Sequence, residues 1–326
     1  MRFPSPNDAR VALAAVLGAY AASGGLDDLQ TNVLDSFGAG LFGLDLHAEP
    51  ITPLSAAEFR KVSTEELRHQ AVAVMAVLEM VATPISKQAA DDVATYAHHV
   101  GVQYAALHAA RERARGHLRL MHADFQRSNW YGRKTYEGMM HGRFFELIES
   151  KVAYRDVAPS KKIAERWLAL RHCPPGSWGR GVADFYVRNQ FPFPGERKGI
   201  YELGARHDFV HVLTSYGADP EGELDVFAFI AAAMPGDHGI TLLAVTCGLF
   251  QNGTITKASG KRIPIARTDT LRDPGALDGF TDALHRGSVC AVDVMAIDHF
   301  ELAALPLDEV RDRLNVVPPR AAPPTA

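Results

Sequence analysis

The sequence predicts an all-α protein, a helical bundle in two parts, on three observations. Apolar residues recur at helical spacing through most of the 326 positions. Cap-type residues and Gly or Pro stops bracket those stretches. Strand signals are scarce, with "VDVMAI" (292–297) the only passable candidate.

Taken in order, the first helix is "NDARVALAAVLGAYAASGG", opened by Asn7 and stopped at Gly24-Gly25. A shorter one follows in "LDDLQTNVLDSF". The next letters, "GAGLFG" (38–43), match a dinucleotide-binding fingerprint, but a helical segment precedes them and no alternating βα pattern follows. These glycines are therefore expected to end a helix and form a loop. Ser63 and Glu66 form a capping-box pattern that opens "TEELRHQAVAVMAVLEMVA", which Thr83-Pro84 stops. Ser86 opens "KQAADDVATYAHHV", ended by Gly101. The helical pattern continues from 102 to about 148 and includes "RERARGHLRLMH", expected as a solvated basic face. Periodicity breaks in "SNWYGRKTYEG" and "YRDVAPSKK", which puts a domain boundary within 125–160.

The later half opens with "KKIAERWLAL" and a turn-rich stretch around one helix, "CPPGSWGRGVADFYVRNQFPFPGE". A helical hairpin at 203–233, an apolar helix at 239–250 and the polar loop "NGTITKASGKRIP" come next. "LDGFTDALHRGSVCAVDVM" and "PLDEVRDRL" close the fold as helices. The expected domains are 1–125, a connector at 126–154, a second helical domain at 155–317, and a disordered proline-rich tail at 318–326.

Composition excludes several classes. A hydrophobic share of 47% with 22% charged residues describes an ordinary globular protein. A net charge of -4 gives no support for nucleic acid as a partner. Cys173, Cys247 and Cys290 form no CxxC and read as reduced, buried thiols. The N-terminus lacks an apolar signal core, and "GITLLAVTCGLF" (239–250) is too short to span a bilayer. The expected location is cytoplasmic, with any membrane contact peripheral.

The chemistry concentrates in "RHDFVHVLTSYGADPEGELD". His207 and His211 lie four apart and so share one helix face, with Asp208 toward the same side. In "YGADPEG", Gly217 reads as a helix stop, Asp219 as an N-cap and Pro220 as a first helical residue. Across such a turn Glu223 comes to a height similar to His211. Two imidazoles and two carboxylates suit zinc, iron or another first-row divalent ion. With 14 histidines in the chain, a pair four apart arises by chance about as often as not, so the pair alone decides little. Spacing leaves a metal site and a polar helix face side by side as readings. The nearest common motif, the zincin helix, carries Glu where this chain has Asp208, and the missing strands also argue against a metalloprotease. His98 and His99 diverge on a helix, while His122, His172, His285 and His299 are isolated and expected as surface or satisfied core residues.

Two resemblances add to this. The repeated pattern of long apolar helix, break and shorter amphipathic helix in the N-terminal part resembles the TerB-like tellurite-resistance domain. Its second break, "TPISKQ", lacks the acids that family carries, which argues against metal binding by this half. The order His207, Asp208, His211, then Glu223 after eleven residues, with "PPGSWGRGVADFY" before and "LPLDEVRDRLNV" after, resembles the Coq-four family of coenzyme Q (ubiquinone) biosynthesis. That resemblance implies an all-helical domain in which these four residues bind a divalent metal, usually zinc, with iron as the alternative. It implies a prenylated quinone precursor or other isoprenoid lipid as ligand, and other quinone-pathway enzymes as partners. It places peripheral contact at the inner face of the cell membrane, with a homodimer also expected. The activity implied is oxidative decarboxylation or hydroxylation of the head group, or scaffolding of the pathway. An apolar groove built partly from "HVL", "VFAFI" and "ITLLAVTCGLF" is then expected beside the metal, plain core packing being the other reading of those segments. The competing function is a non-enzymatic stress or regulatory protein with a structural metal and the TerB-like half as interaction module.

Overall fold

In the computed structural model the protein is all-α, as the sequence predicts. The structure describes residues 5–103, 107, 160–252 and 268–318, except 49, 83, 85, 236 and 237. In chain order the helices are α1 (Pro6–Tyr20), α2 (Asp28–Phe42), α3 (Ala56–Val62), α4 (Glu65–Val81) and α5 (Lys87–His99). Next come α6 (Lys161–Leu168), α7 (Trp178–Arg188), α8 (Glu202–Ala205) and α9 (His207–Thr214). The last are α10 (Pro220–Ala233), α11 (His238–Asn252), α12 (Ala276–Val289), α13 (His299–Leu302) and α14 (Leu307–Leu314). Contacts divide the chain into two units, one from Met1–Trp130 and Asp219–Ser288, the other from Tyr131–Ala218 and Val289–Ala326. The basic stretch at 111–122, His122, the polar loop beyond Gly253 and the tail beyond Pro318 lie outside the described residues.

Unit one is organised around α4. Every residue from Ala71 to Val81 is buried, because this part of the helix is apolar all round except for Glu79 and is packed on several sides. It packs against α11 and α1, and α11 in turn packs against α10. "VFAFI" and "ITLLAVTCGLF" supply this core through Val226, Phe229, Ile230, Leu243 and Cys247, each at most 1% exposed. Those segments are thus core packing within unit one.

Several boundaries differ from the sequence reading, each for a local reason. Helix α1 is capped by Ser5, whose hydroxyl accepts the Asp8 N–H at 3.1 Å, with Pro6 at the first helical position; Asn7 is inside the helix. Helix α2 runs through "GAGLFG" to Phe42. Gly40 faces α12, where a Cβ would come within 2.7 Å of the Thr281 carbonyl oxygen, so the glycine is there for close packing. Only Gly43, at φ 64°, ends the helix. The cap of α4 is Thr64, which accepts the Leu67 N–H, while the Ser63 hydroxyl donates to the Phe59 carbonyl. A capping box does form nearby, between Ser55 and Glu58, and it opens α3, a helix the periodicity did not predict. Helix α12 stops at Val289, short of the predicted 295, and 292–297 is a turn, not a strand. There the Asp293 carboxylate accepts the Met295 N–H and its carbonyl accepts that of Ala296, a side-chain turn that competes with extended pairing.

Unit two has an aromatic core. Trp167, Trp178 and Phe209 are fully buried, and the Trp178 indole donates to the Phe209 carbonyl at 2.8 Å. His299 stacks on Phe209 at 5.0 Å between centroids, and its Nε2 lies 2.8 Å from the Val294 carbonyl. Burial pushes its pKa down to about 4, so it is a neutral core histidine, as expected, but only half satisfied: its buried Nδ1 has no hydrogen-bond partner among the described residues. Glycine sets the approach of α7 to α9, since a Cβ on Gly181 would sit 2.7 Å from Val212. Arg311 of α14 reaches the end of α9, donating to the Leu213 carbonyl at 2.9 Å and the Ser215 hydroxyl at 2.7 Å. Among the described residues no helix is long and apolar enough to cross a membrane.

Candidate metal centre

Helix α9 holds the site. It begins at His207, directly after the single turn of α8 and the one linking residue, Arg206. It ends at Thr214, with Ser215 in the left-handed conformation at φ 67°; the predicted stop at Gly217 lies beyond it. Asp219 caps α10 as predicted, accepting the Gly222 N–H at 3.0 Å, and Pro220 occupies its first position.

His207, Asp208 and His211 come together as their spacing predicts. One ligand-type atom from each lies within 4.8 Å of the others, and all three side chains are buried. Burial of two imidazoles and a carboxylate this deep is costly unless they bind something charged or polar. Among the described residues no other group of three or more such side chains meets that geometry. Glu223, the fourth predicted donor, is half-buried in the first turn of α10, and α10 belongs to unit one.

The neighbours of the triad orient it. His207 Nδ1 lies 2.6 Å from the Gly204 carbonyl, which can only accept, so Nδ1 carries the proton and Nε2 the lone pair. Nε2 faces Asp208 Oδ1 at 3.3 Å. The contact is an ion pair when the imidazole carries a second proton, and the same two atoms are of ligand type. The Tyr186 hydroxyl of α7 donates to Asp208 Oδ2, turning the other carboxylate oxygen toward His207. Burial, and then the adjacent Asp208, hold the Tyr186 phenol far above its ordinary pKa, so it stays a donor. Phe185 stacks on the His211 ring at 5.3 Å and 24°, fixing its plane. Imidazole and carboxylate donors, each held by an outer partner, are the arrangement that metal sites use.

Sequence reasoning missed Tyr186, Phe185 and the Gly204 carbonyl. The adjacent aromatic pair in "ADFYV" was visible, but its meeting with Asp208 spans 22 residues and a helix crossing that periodicity does not encode. No protein-family model matches this chain, and a search of curated proteins finds no match.

Proposed function

We propose that the protein binds a divalent metal through His207, Asp208 and His211, and acts on, or presents, a prenylated aromatic quinone precursor, as its resemblance to the Coq-four family implies. The observation that supports this is the buried grouping of His207, Asp208 and His211, one ligand-type atom of each lying within 4.8 Å of the others. Glu223 enters as fourth ligand on the strength of the sequence order. Zinc fits the mixed imidazole and carboxylate set, and iron fits it as well. Bound there, the ion would supply Lewis-acid polarisation of a carboxylate or phenolate on the ring, or oxygen activation if redox-active. The chain's own residues do the positioning. Gly204 sets the His207 tautomer, Tyr186 holds the Asp208 carboxylate, and Phe185 fixes the His211 ring. Peripheral contact with the inner face of the cell membrane, a homodimer and other pathway enzymes complete the reading.

Depth of burial favours one second reading, a closed structural ion in a non-enzymatic regulatory protein, since an open catalytic site keeps a position for water or substrate. Mass spectrometry of lipid that co-purifies with the chain separates the two. A prenylated aromatic ring is expected; a metal-loaded protein free of any isoprenoid would contradict the quinone reading and leave the structural ion.

A further inference from the structure

Six large apolar side chains are exposed among the described residues, and three of them fall in one stretch of fourteen residues. Val187 is 59% exposed, Phe191 41% and Ile200 36%. The stretch is "VRNQFPFPGERKGI", from the end of α7 to just before α8. Its cations Arg188, Arg197 and Lys198 are exposed as well. Its one acid, Glu196, is half-buried and engaged, accepting the Phe193 N–H at 2.7 Å. Nearby acids are engaged, Asp184 with Arg180 and Glu202 with Arg166. The outward face is therefore apolar and positively charged.

The backbone makes this stretch one knuckle. Gln190, at φ 55°, turns the chain at the end of α7, and the Phe191 N–H donates to the Tyr186 carbonyl at 3.0 Å. Phe193 tucks inward and stacks on Tyr186 at 4.8 Å, with the Arg171 guanidinium 4.7 Å from the ring centroid. The chain then closes back on itself. Gly199 lies so near the Phe193 carbonyl that a Cβ would be 2.1 Å from its oxygen, and Lys198 takes φ 63° to allow the turn. Anchored by Phe193, the knuckle presents Phe191, Val187, Ile200 and the cations outward. It also leads to the site, because the Phe191 ring is 6.0 Å from that of Phe185, which stacks on His211.

We infer that residues 187–200 form a bilayer-docking surface that inserts Phe191, Val187 and Ile200 shallowly among the head groups of anionic phospholipid, beside the metal triad. The choice of a bilayer as occupant rests on the lipid-substrate reading above; the surface itself rests on exposure and charge. Three apolar side chains fall far short of the roughly 800 Å² per partner that a stable protein interface takes. They suit interfacial insertion, in which a small apolar area is joined by attraction of nearby Lys and Arg to anionic lipid.

Flotation of the full-length chain with phosphatidylcholine vesicles, with and without an equal share of phosphatidylglycerol, tests this. The wild type is expected to float with the anionic vesicles, weakly with the neutral ones, and less as salt rises. Phe191→Ser is expected to lower binding several-fold. The double variant Arg188→Gln/Lys198→Gln should lower it about 25-fold at low salt, about fivefold for each charge. Both changes are at exposed positions, and an unchanged circular dichroism spectrum checks the fold. His211→Ala should float like the wild type, so a failed metal site and a failed surface give different results. Wild-type protein that ignores anionic vesicles, or variants that bind them equally well, would overturn the inference. So would a dimer that Phe191→Ser dissociates without any change in flotation, since the patch would then face a second copy of the chain. Loss of flotation in His211→Ala alone would move the lipid contact to the metal site and overturn it too.

Discussion

Helices α4 and α9 are both buried almost throughout, but what they bury differs. In α4 the eleven residues from Ala71 to Val81 are apolar apart from Glu79, and the helix serves as the centre of unit one. In α9 seven residues are buried, and His207, Asp208 and His211 are among them. Apolar burial stabilises by itself, at roughly 25 cal/mol per Å². Burial of three titratable side chains does not, and it persists only where their donors and lone pairs are satisfied. The contrast teaches that α4 exists to fold the protein, whereas α9 carries groups whose placement makes sense for binding a cation.

Perturbing the apolar helix should produce the largest loss of stability and leave metal content alone. Leu78→Ala removes a fully buried side chain from α4, with an expected destabilisation of about 2–5 kcal/mol read by chemical denaturation. Elemental analysis of the surviving folded protein should show wild-type metal. Metal loss in that variant would break the comparison.

Acidity should then separate the units in opposite directions. His299 in unit two has a folded pKa of about 4 against an ordinary 6.5, so the unfolded chain binds the proton first. Unit two is expected to lose stability as pH falls from about 6.5 to about 4, by about 3 kcal/mol at most, and then level off. Tryptophan fluorescence reports this through Trp167 and Trp178. In unit one, burial raises Asp225 to about 8, helped by Asp219, Glu221 and Asp282 and opposed by Arg286. The folded state there holds the proton longer, so stability falls as pH rises from about 4 to about 8. Asp225→Asn should flatten that limb, as read by hydrogen exchange of α10 amides.

The smallest change should affect the site alone. Tyr186→Phe removes only the hydroxyl that donates to Asp208, with about 1 kcal/mol expected in the metal-free chain. Metal affinity is expected to fall 10–100-fold, the usual loss when an outer partner of a ligand is removed. A stability loss without any change in metal affinity, measured by competition with a chelating dye, would reduce Tyr186 to a packing role.

Much of this was legible in the sequence, for definite reasons. Helix content followed from apolar periodicity, and the His207–Asp208–His211 grouping followed from helix phase, because both depend on residues a turn apart. Asp219 and Pro220 announced α10 through cap chemistry alone. Illegible were features set by distant neighbours. Gly40 looks like a loop residue until α12 lies against it, and Tyr186 looks like any aromatic until its hydroxyl meets Asp208. Ser215 ends α9 in a left-handed conformation that no glycine announces, held by Arg311 from 96 residues away.

The claim that α9 is a cation-binding helix is tested most directly by elemental analysis of the purified wild type beside His211→Ala and Glu223→Gln, each with its circular dichroism spectrum recorded. A stoichiometric first-row metal in the wild type, lost in His211→Ala with the helical spectrum retained and weakened in Glu223→Gln, is the predicted result. Equal metal content in the wild type and His211→Ala would contradict the site, and a metal-free wild type that takes up neither zinc nor iron would return these histidines to the role of a polar pair on a buried helix.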